Sequence, residues 1–317
     1  MPTIFTIGET ILDIIFENGQ PVAAKAGGSM LNSAVSLGRC GLKVEMLTEL
    51  GNDQVGELVK DFLNDNGVGT LYLKPTEGFK TPVSLAFLDE KGNAQYSFYK
   101  QYPNSRALLP LTVSRWPLAV EGDVVLFGSF YSLDAAIREE IVSFVKEAKR
   151  CGAIVLYDPN IRKNHLVDIK KLMPLVEENI SLADITRGSD EDFENLFGLN
   201  DGEAVYARVK SLIGKHLIRT CGSRGAELYA VDYRLHLPAP EIKVVSTIGA
   251  GDSFNAGIIF GLVKKEVTAK GLEKLDPDDW QEIMEYGIRF ATEVCCSYDN
   301  YIVPDSELST KHSTLNT

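Results

Sequence analysis

Short apolar runs alternate with amphipathic stretches along most of the chain. The segments at 3–9 (TIFTIGE), 43–51 (KVEMLTELG), 122–129 (GDVVLFGS), 153–160 (AIVLYDPN) and 183–189 (ADITRGS) have the length and branched content of buried strands. Between them, 26–42, 53–68, 134–152, 190–198 and 201–213 carry apolar residues at helical spacing. Asn66-Gly67 supplies a C-terminal stop for the second of these helices. Residues 215–232 read as strand, turn and strand, and 241–247 (EIKVVST) as a strand feeding a helix at 252–265 through Gly249-Ala250-Gly251. Such alternation predicts an α/β fold, a mostly parallel sheet with helices on both faces. Ligands in such sheets sit beyond the carboxyl ends of the strands, where the glycine turns fall here.

One region keeps a different period. Residues 81–100 alternate with period two on both sides of Glu90-Lys91-Gly92-Asn93, with Val83, Leu85 and Phe87 on one face. Residues 14–24 form a second candidate strand pair. The expectation is a single domain over 1–317, with a small β-sheet lid from about 14–25 and 80–102 inserted in it.

The bulk numbers narrow the classes. The 317 residues are enough for one large α/β domain. A net charge of −12 argues against nucleic acid or an anionic membrane as partner. No apolar run approaches the length of a membrane span, and the N-terminus shows no signal peptide. Cys40, Cys151, Cys221, Cys295 and Cys296 lack CxxC spacing and read as reduced thiols of a cytoplasmic protein. The four histidines are scattered, without metal-ligand spacing.

Residues 246–257 read STIGAGDSFNAG. Asp252 falls at a helix start, where unpaired amides attract anions; alone it reads as a helix N-cap. A Walker loop is absent, and Phe254 occupies the third small position of a dinucleotide fingerprint. The fuller string T-x-G-A-G-D-x-F-x-A-G resembles the second signature of the ribokinase-like, PfkB carbohydrate kinase family. That resemblance implies a three-layer ribokinase-like core and ATP-dependent phosphorylation of a sugar. It puts the catalytic base on Asp252, with the amides of Gly249, Ala250 and Gly251 as an anion hole. A carboxylate at a helix start is expected to stay ionised and accept the proton of the attacking hydroxyl.

The resemblance extends along the chain. The family's sugar-binding aspartate falls at Asp13, placed at the end of the first strand. Gly27-Gly28-x-x-x-Asn32 is similar to the first signature and assigns Gly28 and Asn32 to the sugar, although Ser29-Met30-Leu31 depart from the usual smaller residues or proline. Asp158-Pro159-Asn160-Ile161-Arg162 looks like the turn of fructokinases and keto-deoxygluconate kinases, and assigns Asn160 and Arg162 to substrate. Lys100 stands where fructokinases often carry arginine. Thr220, Gly222 and Gly225 match a nucleotide loop. Ser189 and Asp192 replace the family's Asn-x-x-Glu, implying nucleotide contact at Ser189 and Mg²⁺ at Asp192 through water. Ser246 stands where members that bind a monovalent cation have aspartate, so the resemblance leaves that cation open. Fructose is the implied acceptor; keto-deoxygluconate and ribose or nucleosides are the alternatives, and a homodimer through the lid is a further expectation. Two other classes are a non-catalytic sugar-binding relative and an NAD-dependent oxidoreductase.

Overall fold

The computed structural model describes residues 1–88, 94–102, 106, 108, 119–161 and 166–303. In chain order these residues form β1 (Thr3–Ile7), β2 (Ile11–Glu17), β3 (Gln20–Gly27), α1 (Ser29–Arg39), β4 (Lys43–Gly51), α2 (Gln54–Asp65), β5 (Val68–Gly69), β6 (Leu73–Thr76), β7 (Lys80–Leu88) and β8 (Ala94–Gln101). Then follow β9 (Val124–Gly128), α3 (Arg138–Arg150), β10 (Ile154–Asp158), α4 (Leu166–Leu182), β11 (Ile185–Ser189), α5 (Asp190–Phe197), α6 (Gly202–Ser211), β12 (His216–Thr220), β13 (Ala226–Tyr229), β14 (Arg234–Leu237), α7 (Ala250–Lys264), α8 (Ala269–Leu272) and α9 (Pro277–Cys295).

Neighbouring residues of the central strands serve different cores. Ile4 and Leu126 join one apolar cluster; Phe5 and Phe127 join the other. This is the period-two signature of strands covered on both faces. The first cluster is closed by Leu31 of α1, Val59 of α2, Ile258 of α7 and Trp280 of α9. The second is closed by Phe144 of α3, Val176 of α4, Phe193 of α5 and Val205 of α6. Between these helical layers lies a ten-stranded sheet of order β14-β13-β12-β11-β10-β9-β1-β4-β5, with β6 also on β4. Pairing is parallel from β5 through β12 and antiparallel over β12, β13 and β14. The expected three-layer architecture is therefore present.

A separate sheet of order β3-β2-β7-β8 joins the two expected strand pairs into one unit, with β2 and β7 parallel at its centre. Asp53 fixes its root to the core. That carboxylate caps α2 through Gly56 N at 2.8 Å and holds Thr81 N at 3.0 Å and Thr81 Oγ1 at 2.9 Å. The turn expected at Glu90–Asn93 lies outside the described residues.

Two readings need correction, and two further features come from the structure. Asp13 is not at the end of β1, which stops at Ile7; it lies inside β2 of the small sheet. The face carrying Val83, Leu85 and Phe87 is the less buried one: Phe87 is 40% exposed while Ser84 and Ala86 are buried. Residues 241–247 form no strand but a largely exposed irregular run, tied to the end of α9 by Val245 N donating to Cys295 O at 2.8 Å. The apolar alternation there finds no sheet edge to join. Finally, α4 and α9 are helices that the pattern does not single out; Pro174 interrupts the periodicity of α4.

Candidate active site

The first turn of α7 defines the site. Gly249 is its N-cap, with φ 79° and no side chain to satisfy the turn's amides. Asp252 is therefore not the cap but the third residue of the helix. Its carboxylate points away from its own turn to α1. Ser29 Oγ donates to Asp252 Oδ1 at 2.7 Å, and Asn32 Nδ2 donates to Oδ2 at 2.8 Å. Ser33 Oγ donates to the Asp252 carbonyl at 2.8 Å, so α1 grips backbone and side chain together. Ser29, Asn32 and Ser33 share one helix face by their spacing. Asn160 Nδ2 lies 3.4 Å from Asp252 Oδ1. Three residues from two segments, Ser29 and Asn32 of α1 and Asn160, thus converge on the Asp252 carboxylate at an open helix N-terminus.

Small residues in the glycine turn are required from behind as well as in front. A Cβ on Gly249 would come within 2.2 Å of Asn300 O, and one on Gly251 within 2.9 Å of the Arg187 guanidinium. Arg187 is a residue that the sequence pattern does not flag. It is buried, donates to Asp158 Oδ2 at 2.8 Å and to Thr220 Oγ1 at 2.9 Å, and faces the Phe254 ring. Asp158 also accepts from Asn255 Nδ2 at 2.6 Å and, through Oδ1, from Asn160 N at 3.0 Å. That last bond shapes the Asp158–Ile161 turn and holds Asn160 at φ 42°. Burial raises the Asp158 carboxyl above its usual range and the charge of Asp252 adds to this, while Arg187 and Asn255 oppose it. The only sequence signal for Arg187 is a basic residue inside an apolar strand, which must find a buried partner.

The remaining expected residues fall in three places. Ser189 caps α5 in a capping box with Asp192. Asp192 Oδ1 accepts Ile161 N at 2.7 Å, and Oδ2 accepts Ser189 N and Oγ, both at 2.7 Å. Both oxygens of Asp192 therefore have protein donors, and burial raises its pKa. Among the described residues no three acidic, histidine or cysteine side chains cluster as a metal cage. This donor set suits a cation that arrives on phosphate oxygens and meets the protein through water. Thr220 ends β12, and Gly222 and Gly225 bracket the turn into β13. Asp13 accepts from Ser84 Oγ across β2 and β7. Burial raises the Asp13 pKa, against the Ser84 bond and the Lys100 charge. Lys100 is ion-paired with Glu9, which also accepts from Tyr102. Gly28 precedes α1 at φ 129°. Ser246 Oγ accepts Ile248 N at 3.2 Å in a local turn. Arg162 lies outside the described residues.

Among the described residues, the buried atoms without a protein partner include Asn32 Oδ1 and Arg187 Nε at the site. Buried polar atoms are ordinarily satisfied, so an acceptor and a donor here suit water or a ligand.

The pfkB family carbohydrate kinase pattern matches residues 1–303. A fructokinase of Rhizobium leguminosarum bv. trifolii is 28% identical over 273 residues, covering 84% of this chain and 82% of the relative. An aminoimidazole riboside kinase of Salmonella typhimurium is 25% identical, covering 83% and 81%. Among solved structures, the aminoimidazole riboside kinase of Salmonella enterica with aminoimidazole riboside and an ATP analog superposes with a TM-score of 0.82 at 21% identity, over 97% of this chain and 99% of that one. A Vibrio cholerae fructokinase with fructose, ADP and calcium gives 0.81 at 19%, over 95% and 94%. With its three-layer core, its four-stranded side sheet and a family match across nearly its whole length, the chain belongs to the pfkB family of carbohydrate kinases.

Proposed function

We propose that this kinase transfers the γ-phosphoryl group of ATP to a primary hydroxyl of a small sugar, with fructose as acceptor. The single observation that carries the reading is the Asp252 carboxylate fixed at the uncapped N-terminus of α7. Phosphoryl transfer needs placement and charge stabilisation more than covalent chemistry. The amides of Gly249, Ala250 and Gly251 stabilise the transferring group. Asp252 orients the acceptor hydroxyl and takes its proton as the O–P bond forms. Asp13, Gly28, Asn32, Asn160, Lys100 and Arg162 bind the sugar. Ser189, Thr220, Gly222 and Gly225 bind the nucleotide. The exposed apolar run Ile242, Val244, Val245 and Ile248 suits a nucleobase next to the glycine turn. Asp192 would be the residue to meet, through water, a Mg²⁺ brought in by ATP, and such a cation would offset the phosphate charge.

The small sheet acts as a lid over the sugar within a single 1–317 domain, and closure excludes water. Its exposed Phe87 and Tyr99 favour a homodimer through this sheet. Five free cysteines suit the cytoplasm, and no described helix is long and apolar enough to cross a membrane. A riboside acceptor is the second reading, favoured by the aminoimidazole riboside kinase relative.

The test is an ADP-release assay against fructose, ribosides and keto-deoxygluconate. Asp252→Asn is expected to lower kcat by about 10²–10⁴-fold, the usual contribution of a general base, while sugar still binds. If the wild-type protein releases no ADP with any of these acceptors, the kinase reading fails and a sugar-binding role replaces it.

A further inference from the structure

Serine at a helix start ordinarily spends its hydroxyl on capping that helix. Ser29 does not. It is the first residue of α1, and the preceding N-cap is Gly28, which makes no side-chain cap. A Cβ at Gly28 would lie 2.3 Å from Glu9 O, so the chain reaches Ser29 along a fixed path. From there the Ser29 hydroxyl makes two bonds across the site. It donates to Asp252 Oδ1 at 2.7 Å and accepts from Asn160 Nδ2 at 2.7 Å. Asn160 is itself held by its amide on Asp158 Oδ1.

The consequence is geometric. A carboxylate bonded through one oxygen can still swing about its Cβ–Cγ bond. Asn32 holds only Oδ2. Ser29 holds Oδ1 and ties it to the Asp158–Ile161 turn, so the plane of the carboxylate is set from both ends. Lone Asn160, at 3.4 Å, is too long to do this by itself.

We propose that Ser29 is a positioning residue for phosphoryl transfer, presenting Asp252 Oδ1 to the acceptor hydroxyl through the Ser29–Asn160 bridge. This rests on the kinase reading with Asp252 as base. In the step, the acceptor oxygen bonds to the γ-phosphorus, the bond to the bridging oxygen breaks, and ADP leaves with that electron pair. The hydroxyl proton passes to Asp252. Ser29 keeps its own proton throughout and touches the base and Asn160, not the acceptor.

The test compares Ser29→Ala, Ser29→Thr, Asp252→Asn and the double variant Ser29→Ala/Asp252→Asn by steady-state kinetics, with thermal melts of each. Small misplacements of a reacting group cost on the order of 10²-fold. Ser29→Ala should therefore lose about 10–100-fold in kcat, with KM for sugar and ATP within about threefold and the melting temperature retained. Ser29→Thr, which keeps the hydroxyl, should restore most of kcat. In the Asp252→Asn background, Ser29→Ala should cost nothing further, because residues that act as a unit are non-additive. The proposal is overturned if Ser29→Ala turns over like wild type, if its loss persists undiminished in the Asp252→Asn background, or if kcat falls only with the melting temperature and threonine restores neither. Those outcomes leave the kinase reading standing. That reading fails instead if Asp252→Asn itself keeps full kcat.

Discussion

Replacing Arg187 with methionine isolates the buried charge that organises the site. In the native structure the Arg187 and Asp158 side chains are 5% and 0% exposed, and their contact is 2.8 Å. Solvent screening is therefore negligible, and the pair is not comparable to a surface salt bridge. Methionine fills similar volume but leaves the Asp158 carboxylate, among the described residues, with the neutral donors Asn255 Nδ2 and Asn160 N. Breaking one side of a buried pair costs about 3–5 kcal/mol. For a chain of this size that is roughly 6–10 °C in melting temperature, at about 2 °C per kcal/mol. The pH dependence has a definite sign. Burial already raises the folded Asp158 pKa above its unfolded value, and loss of Arg187 raises it further. A raised carboxylate destabilises the fold above its folded pKa, and the penalty disappears as pH falls through that value. The deficit of Arg187→Met relative to wild type should be largest near neutral pH and shrink towards the ordinary carboxylate range. Adding Asp158→Asn should recover much of the loss at neutral pH. Calorimetry or urea unfolding at several pH values makes the measurement. A loss below about 1 kcal/mol, the value of an exposed pair, or a deficit that does not change with pH, would refute the reasoning.

Other consequences follow from the same contacts. Gly249→Ala should cost about 1–3 kcal/mol, because alanine is strained at φ 79° and meets Asn300 O, and kcat should fall with it; melts and kinetics of one preparation check both. Asp192→Ala removes the α5 capping box and the acceptor of Ile161 N, so about 1–2 kcal/mol of stability should go, with a rise in the ATP KM. Phe87→Ser with Tyr99→Ser should shift the protein to monomer in light scattering, with only a modest fall in melting temperature from loss of the Phe16–Phe87 stack. A wild-type protein that is monomeric at all concentrations rules the lid dimer out.

The layered core was legible because each strand residue has only two places to go, and both are apolar. Ile4 and Phe5 alternate as a buried parallel strand must, whereas the Gly249–Gly251 turn follows no strand. The failures share a cause. An apolar alternation states that a segment needs cover but not which neighbour supplies it. Residues 241–247 have strand chemistry and remain largely uncovered, and the alternation that puts Val83, Leu85 and Phe87 on one face does not say which face is the outer one. At the site the same distinction holds. The glycines of the turn were read as room for phosphate, a reason that lies in front of the backbone. Asn300 and Arg187 supply a second reason behind it, from residues 51 and 64 positions away by chain numbering. A local motif cannot contain such a reason. The same holds for Asp252: a helix-start aspartate reads locally as a cap, and only the arrival of α1, more than two hundred residues earlier in the chain, gives its carboxylate a different set of donors. The local string thus names the group that can act on a proton, while its orientation is decided by the packing of α1 against α7.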